Sequence, residues 1–171
     1  DALGWKQRVD LMLAAGDLME ADMFELAALV AFEVGKSRLE ALGDVAETVE
    51  FFRYHSSQMV ANDGFVRPLG QLSPSEKNTS VMRPHGVWGV ISPFNFPMAL
   101  AAGPTISALL TGNTVVLKPS NVGALAGIEF YRLLRRAGVP AGAVQLLTGP
   151  GSKIGKALVA NPGVKGFTFT G

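Results

Sequence analysis

The sequence contains no cysteine, so disulfides, thiolate metal sites and a cysteine nucleophile are all excluded within its 171 residues. Histidine is nearly as scarce. His55 falls in a helical run and His85 precedes a glycine, and neither has a carboxylate or second histidine at ligand spacing. Both rings read as surface or packing groups, and no metal site is expected. A long apolar run is missing too: the stretch from Pro97 to Leu117 is broken by Gly103, Pro104 and Gly112, which suits a buried helix and strand rather than a membrane span. The chain opens at Asp1 without a basic segment leading into an apolar one, so neither a signal nor a transit peptide is expected, and the expected compartment is the cytoplasm.

Negative charge is scarce in one half only. Residues 1–76 hold six Lys and Arg against thirteen Asp and Glu, whereas residues 77–171 hold nine against one, Glu129. A basic half calls for an anionic partner, either a nucleotide phosphate or an acidic surface of the same protein. Nucleic acid is not the expected partner, because Arg132, Arg135 and Arg136 fall at helical spacing, where a solvated face accounts for them.

What the chain does have is apolar content, at 48%, and enough length for a sizeable core. Residues 1–63 read as helical: Val9, Leu13 and Leu18, then Phe24, Leu26, Ala27, Val30 and Ala31 recur near helical spacing, Gly35 marks a stop, and Leu39 to Val60 resumes. Two or three antiparallel helices are expected. Residues 64–85 bracket a polar stretch, Ser73 to Lys77, with short alternating runs, which predicts a β-hairpin or arm. From residue 86 the texture changes to "VWGVI", "TVVLK", "VQLLT" and "VKGFTFT", separated by the helix-like segments Met98 to Leu110, Gly123 to Ala137 and Ser152 to Ala160. Strand and helix alternating at this spacing predict an α/β domain over 86–171 with a doubly wound, mainly parallel sheet. Ligands of such sheets lie beyond the carboxyl ends of the strands. That rule directs attention to Ser92 to Pro97, Lys118 to Asn121, Gly149 to Gly155, and Thr170 with Gly171.

Three motifs lie there. "TGPGSKIGKAL" follows a strand and opens a predicted helix, but Gly149, Gly151 and Gly155 give a spacing one residue longer than the dinucleotide fingerprint, and Pro150 and Ala157 break a phosphate-loop pattern. On spacing alone a plain strand-to-helix turn and a cofactor site remain equally open. "LKPSN" places Lys118 at a strand end, where an ammonium holds ribose hydroxyls or phosphate, or is simply solvated. "SPFNFP" is the most specific: Pro93 and Pro97 stiffen a turn, Phe94 and Phe96 are expected to wall it off from water, and Asn95 would offer its amide in a dry, fixed position. The alternative is an asparagine whose amide satisfies the turn's own backbone.

Taken together and in order, "SPFNFP", "GNTVVLKPS", "AGVPAGAVQLLTGPG" and "FTFTG" resemble the cofactor-binding domain of the aldehyde dehydrogenase superfamily, over roughly residues 86–171. The upstream helical sequence resembles the branch that oxidises glutamate γ-semialdehyde, the 1-pyrroline-5-carboxylate dehydrogenases. The resemblance implies an incomplete Rossmann-like sheet and NAD as cofactor, with NADP possible. It implies that Asn95 stabilises the oxyanion of a thiohemiacetal. Lys118 would bind the adenosine ribose with Ser120 and Asn121 beside it, and Ile91, Ser92, Pro93 and Phe94 would line the cofactor cleft. Gly151 and Gly155 would let a helix pack close to the adenine, and Phe169 and Gly171 would approach the nicotinamide. Phe94 stands where the family commonly has tryptophan. Asn121 stands where a glutamate often pairs with the lysine, which removes a repulsion against a 2′-phosphate.

The family's cysteine nucleophile and glutamate base lie downstream of "FTG". The chain therefore reads as an N-terminal portion without dehydrogenase turnover of its own, drawn from a parent expected to be a homo-oligomer acting on a small aldehyde. A non-catalytic nucleotide-binding or interaction module of the same fold is the alternative.

Overall fold

The computed structural model describes residues 3–171. Helix α1 (Trp5–Ala21), α2 (Met23–Val34) and α3 (Arg38–Ala61) fill the N-terminal part. Gly35 ends α2 with a left-handed φ of 71°, a conformation open to glycine at little cost. Ser37 then starts α3 with a reciprocal cap: its hydroxyl accepts from the Glu40 N–H and the Glu40 carboxylate accepts from the Ser37 N–H. The arm is a short antiparallel hairpin of β1 (Val66–Pro68) and β2 (Thr79–Val81), in which Arg67 faces Ser80.

The rest alternates as β3 (Val87–Ile91), α4 (Ala99–Leu110), β4 (Thr114–Lys118), α5 (Ala124–Arg136), β5 (Val144–Leu146), the short α6 (Lys156–Val159) and β6 (Val164–Phe169). The four strands from β3 to β6 form one parallel sheet in the order β5-β4-β3-β6. The chain steps outward from β3 to β4 to β5 and then returns to pair β6 with the other side of β3. That reversal makes β3 and β6 the pair at which a doubly wound sheet opens a crevice. Two glycines fix the β3–β6 register by lending space to aromatics: a Cβ on Gly166 would lie 2.1 Å from the Trp88 ring, and one on Gly89 would lie 2.5 Å from Phe167.

One predicted helix is shorter than its sequence suggests. Within the stretch from Ser152 to Ala160, residues Gly151–Gly155 wind as a π-type turn and only Lys156–Val159 is α-helical. The glycines at both ends weaken α-helical propensity there, and Pro150 holds the turn by accepting from the N–H groups of Lys153 and Ile154 through its carbonyl.

The helices and the sheet share one core. Met12 of α1, Val30 of α2, Phe52 of α3, Ile106 of α4, Val115 of β4 and Phe130 of α5 belong to a single buried cluster. Phe52 and Phe130 meet with ring centroids 6.2 Å apart. The acidic half also serves as anionic partner to the basic one: Asp22 pairs with Arg136 at 2.6 Å, and the Glu33 carboxylate accepts from the N–H groups of Leu125 and Ala126. No helix among the described residues is long and apolar enough to cross a membrane.

Candidate functional site at the carboxyl ends of the strands

Parallel pairing brings three separated sequence positions into one row. Ile91 is in register with Lys118 on one side and with Phe169 on the other. The chain just beyond remains laced together: the Ser92 N–H donates to the Lys118 carbonyl at 3.2 Å and the Thr170 N–H donates to the Ile91 carbonyl at 3.0 Å. Gly171 then lies against the first turn, because a Cβ on it would meet that of Pro93 at 3.7 Å. Ile91, Ser92, Pro93, Lys118, Phe169 and Gly171 thus converge on the β3–β6 crevice.

Lys118 is only 5% exposed although it ends a strand, and its ammonium donates to the carbonyl of Pro119 at 3.2 Å. The solvated alternative does not describe this lysine. A Cβ on Gly155 would lie 4.0 Å from Lys118 Cε, so the π-type turn packs over the lysine stem. Gly151 is different: it is exposed, with open space where a Cβ would stand, and forms the outer end of that turn. Ser120 and Asn121 occupy the β4–α5 turn, where the Ser120 hydroxyl accepts from the Val122 N–H. Ser92 is buried and its hydroxyl has no hydrogen-bond partner among the described residues, an orphaned polar group at the crevice.

The turn carrying Asn95 is packed from below and open above. Pro97, Met98 and Ala99 are buried, and Gly123 accommodates the turn closely, since a Cβ there would sit 3.0 Å from Pro97 and 3.4 Å from the Phe94 backbone. Asn95 itself is exposed, and so are Phe94 at 51% and Phe96 at 39%. The expectation that these rings wall the amide off from water is therefore corrected: the turn points its apex outward, away from the buried side where Pro97 packs. No hydrogen bond within the described residues engages the Asn95 side-chain amide; it is the Asn95 carbonyl that is held, by Lys36 at 2.9 Å. The amide does not serve its own turn.

Three site-supporting residues escaped the sequence. Lys36 also lies 3.8 Å from Asp44, and its ammonium sits 3.4 Å from the Phe96 ring centroid. Asp44, fully buried on α3, accepts from the Ala99 N–H at 2.8 Å and so caps α4. Burial pushes its carboxyl above the ordinary range, with the Ala99 N–H and Lys36 pulling the other way. Glu33 caps α5 in the same manner. Neither helix has a local side-chain cap, Met98 and Gly123 occupying those positions, and that lack is the one trace in the sequence that a distant carboxylate must supply it.

A groove of about 870 Å³ runs between α3, α4 and Trp88, lined among others by Phe51, His55 and Leu100. Asn95, Lys118 and Gly155 are not on its walls. His55 stacks on Phe51 at 5.7 Å and His85 lies 5.9 Å from Trp88, both as packing rings.

The arrangement combines a buried cation at a strand end, an orphaned hydroxyl, a glycine turn over the cation and an unengaged amide on a braced turn. Comparison with known proteins gives it a context. The aldehyde dehydrogenase family profile matches residues 1–171. A 1-pyrroline-5-carboxylate dehydrogenase of Anoxybacillus flavithermus is 38% identical over 167 residues, which are 97% of this chain and 32% of that protein. The proline utilization A (PutA) mutant D779W from Bradyrhizobium japonicum superposes with a TM-score of 0.94 at 34% identity, over 98% of this chain and 17% of that one. The NADP-dependent glyceraldehyde-3-phosphate dehydrogenase from Bacillus halodurans C-125, complexed with NADP, gives 0.90 at 36% identity, over 98% and 36%. The chain spans about a third of the length of the curated relatives it matches.

Proposed function

Since the chain belongs to the aldehyde dehydrogenase family, we propose that it supplies the cofactor cleft and the oxyanion-binding amide of an NAD(P)-dependent enzyme oxidising glutamate γ-semialdehyde to glutamate in proline catabolism. The relatives named for 1-pyrroline-5-carboxylate and for proline utilization favour that substrate. The observation that carries the reading is Asn95: its backbone is anchored while its amide is left to face outward. An oxyanion donor needs that division, a fixed main chain and an uncommitted N–H₂.

The residues at the crevice fit a dinucleotide. Lys118 would hold the adenosine ribose, the orphaned Ser92 hydroxyl would find a polar partner, and the open space at Gly151 leaves room for close approach. When bound, the nicotinamide accepts hydride. This chain's own part is to orient that group between Ile91 and Phe169 and to donate a hydrogen bond from Asn95 to the substrate oxygen as negative charge develops on it. Asn121, an uncharged residue in the turn that follows Lys118, leaves both NAD and NADP admissible. Nucleophile and base belong to a part of the enzyme outside residues 1–171, which contain no cysteine.

The test is Asn95→Ala in the full-length protein that carries this sequence. Loss of one oxyanion donor lowers kcat by about 10²- to 10³-fold, with KM for the dinucleotide little changed. A variant with wild-type kcat overturns the oxyanion reading, and a full-length protein that binds NAD without oxidising aldehydes makes this a binding module instead.

A further inference from the structure

Pro93 and Pro97 fix the backbone on both sides of Asn95, but they leave an exposed apex between them. What reaches that apex comes from 59 positions upstream. Lys36 donates to the Asn95 carbonyl at 2.9 Å, lies 3.4 Å from the centroid of the Phe96 ring, and stands 3.8 Å from Asp44 Oδ2, with its side chain only 11% exposed. A solvated surface lysine has none of these neighbours. An ammonium is suited to the spot because its three donors point apart, so one charge meets a carbonyl, a ring face and a carboxylate at once.

The second half of the brace is Asp44. It accepts from the Ala99 N–H at 2.8 Å, at the first residue of α4, the helix into which the Asn95 turn runs. One cation therefore ties the apex of the turn to the buried carboxylate that caps the helix at its end. We propose that Lys36 is a positioning residue for Asn95, setting the direction in which the amide presents its N–H₂ groups. This rests on the oxyanion reading of Asn95 given above.

A lysine serving only to neutralise buried Asp44 makes a different prediction, and a mutant cycle in the full-length protein separates the two. Lys36→Met keeps length and removes the donors; it lowers kcat about ten- to hundredfold, as small misplacements of catalytic groups do, while KM for NAD stays. Lys36→Met combined with Asp44→Asn removes the uncompensated charge, so the thermal stability lost in Lys36→Met returns but kcat does not. Lys36→Arg retains charge and donors and regains part of kcat. The Asn95 side-chain amide resonances, followed by 15N NMR, shift and lose order in Lys36→Met and in the double variant.

Recovery of kcat in the double variant would show that Lys36 acts only through Asp44, and the proposal would fall. It falls equally if folded Lys36→Met keeps wild-type kcat and unchanged Asn95 amide signals. Asn95→Ala in the same series keeps the two readings apart: if it loses kcat while Lys36→Met does not, the oxyanion role stands and the positioning role is gone. Should Lys36→Met fail to fold, the double variant and Lys36→Arg decide by the same kcat and amide readouts.

Discussion

Asp44 shows how much of this site is decided one side chain at a time. A fully buried carboxyl costs desolvation, and here two backbone N–H groups and Lys36 offset only part of it, so its folded-state pKa stays above the ordinary value of 3.8. For an acid raised in this way, its contribution to stability is complete below the unfolded value and is lost as pH rises through the folded one. Asp44→Asn removes that titration and keeps an acceptor for the Ala99 N–H. The stability difference between wild type and Asp44→Asn therefore moves in favour of the variant as pH rises from about 4 upward, read as melting temperature against pH. A difference moving the opposite way would refute the burial argument. Asp44→Ala leaves a buried N–H without a partner and costs about 1–3 kcal/mol. Asn95 and Lys118 were legible because proline, aromatic and strand-end context surround them locally. Lys36 and Asp44 were not, since the backbone groups they hold lie more than fifty positions away.

Elements are where local rules hold least evenly. The cap of α3 could be read from Ser37 and Glu40, two residues three positions apart that satisfy each other. The starts of α4 and α5 carry no such signal, because their caps are Asp44 and Glu33, carboxylates presented by helices packed across from them. Strands β3 and β6 were visible as β-rich runs, but their register depends on which aromatic falls over which glycine. Trp88 lies over Gly166 and donates its Nε1–H to the Thr168 hydroxyl at 2.9 Å. Gly166→Ala places a methyl inside that ring's space. The indole must move and lose the bond, costing about 1–3 kcal/mol in urea unfolding, with a change in Trp88 emission. An alanine variant of unchanged stability and emission would show that the glycine is not needed for packing.

At the scale of the whole molecule, the N-terminal helices share one buried core with the sheet. Phe52 against Phe130, and the capping of α4 and α5 from α3 and α2, tie the two parts together. A shared core unfolds as a unit. Trp5 reports the helical part and Trp88 the sheet, so in the 171-residue chain, where these are the two tryptophans, Trp5→Phe and Trp88→Phe show transitions by fluorescence that coincide with far-UV circular dichroism. Separate midpoints for the helical and sheet signals would contradict the single core.

The amino-acid sequence by itself determined most of the element types, the arm and the parallel character of the sheet, and it pointed to Asn95 and Lys118 as candidates, because periodicity, glycine and proline placement and strand-end position are all local. Only the tertiary structure decided the rest. It showed that Ile91, Lys118 and Phe169 share a row, that Phe94 and Phe96 leave Asn95 open, and that Lys36 holds it. Contacts between residues far apart in the chain are fixed by how the faces of packed elements meet, and that meeting leaves almost no trace in local pattern.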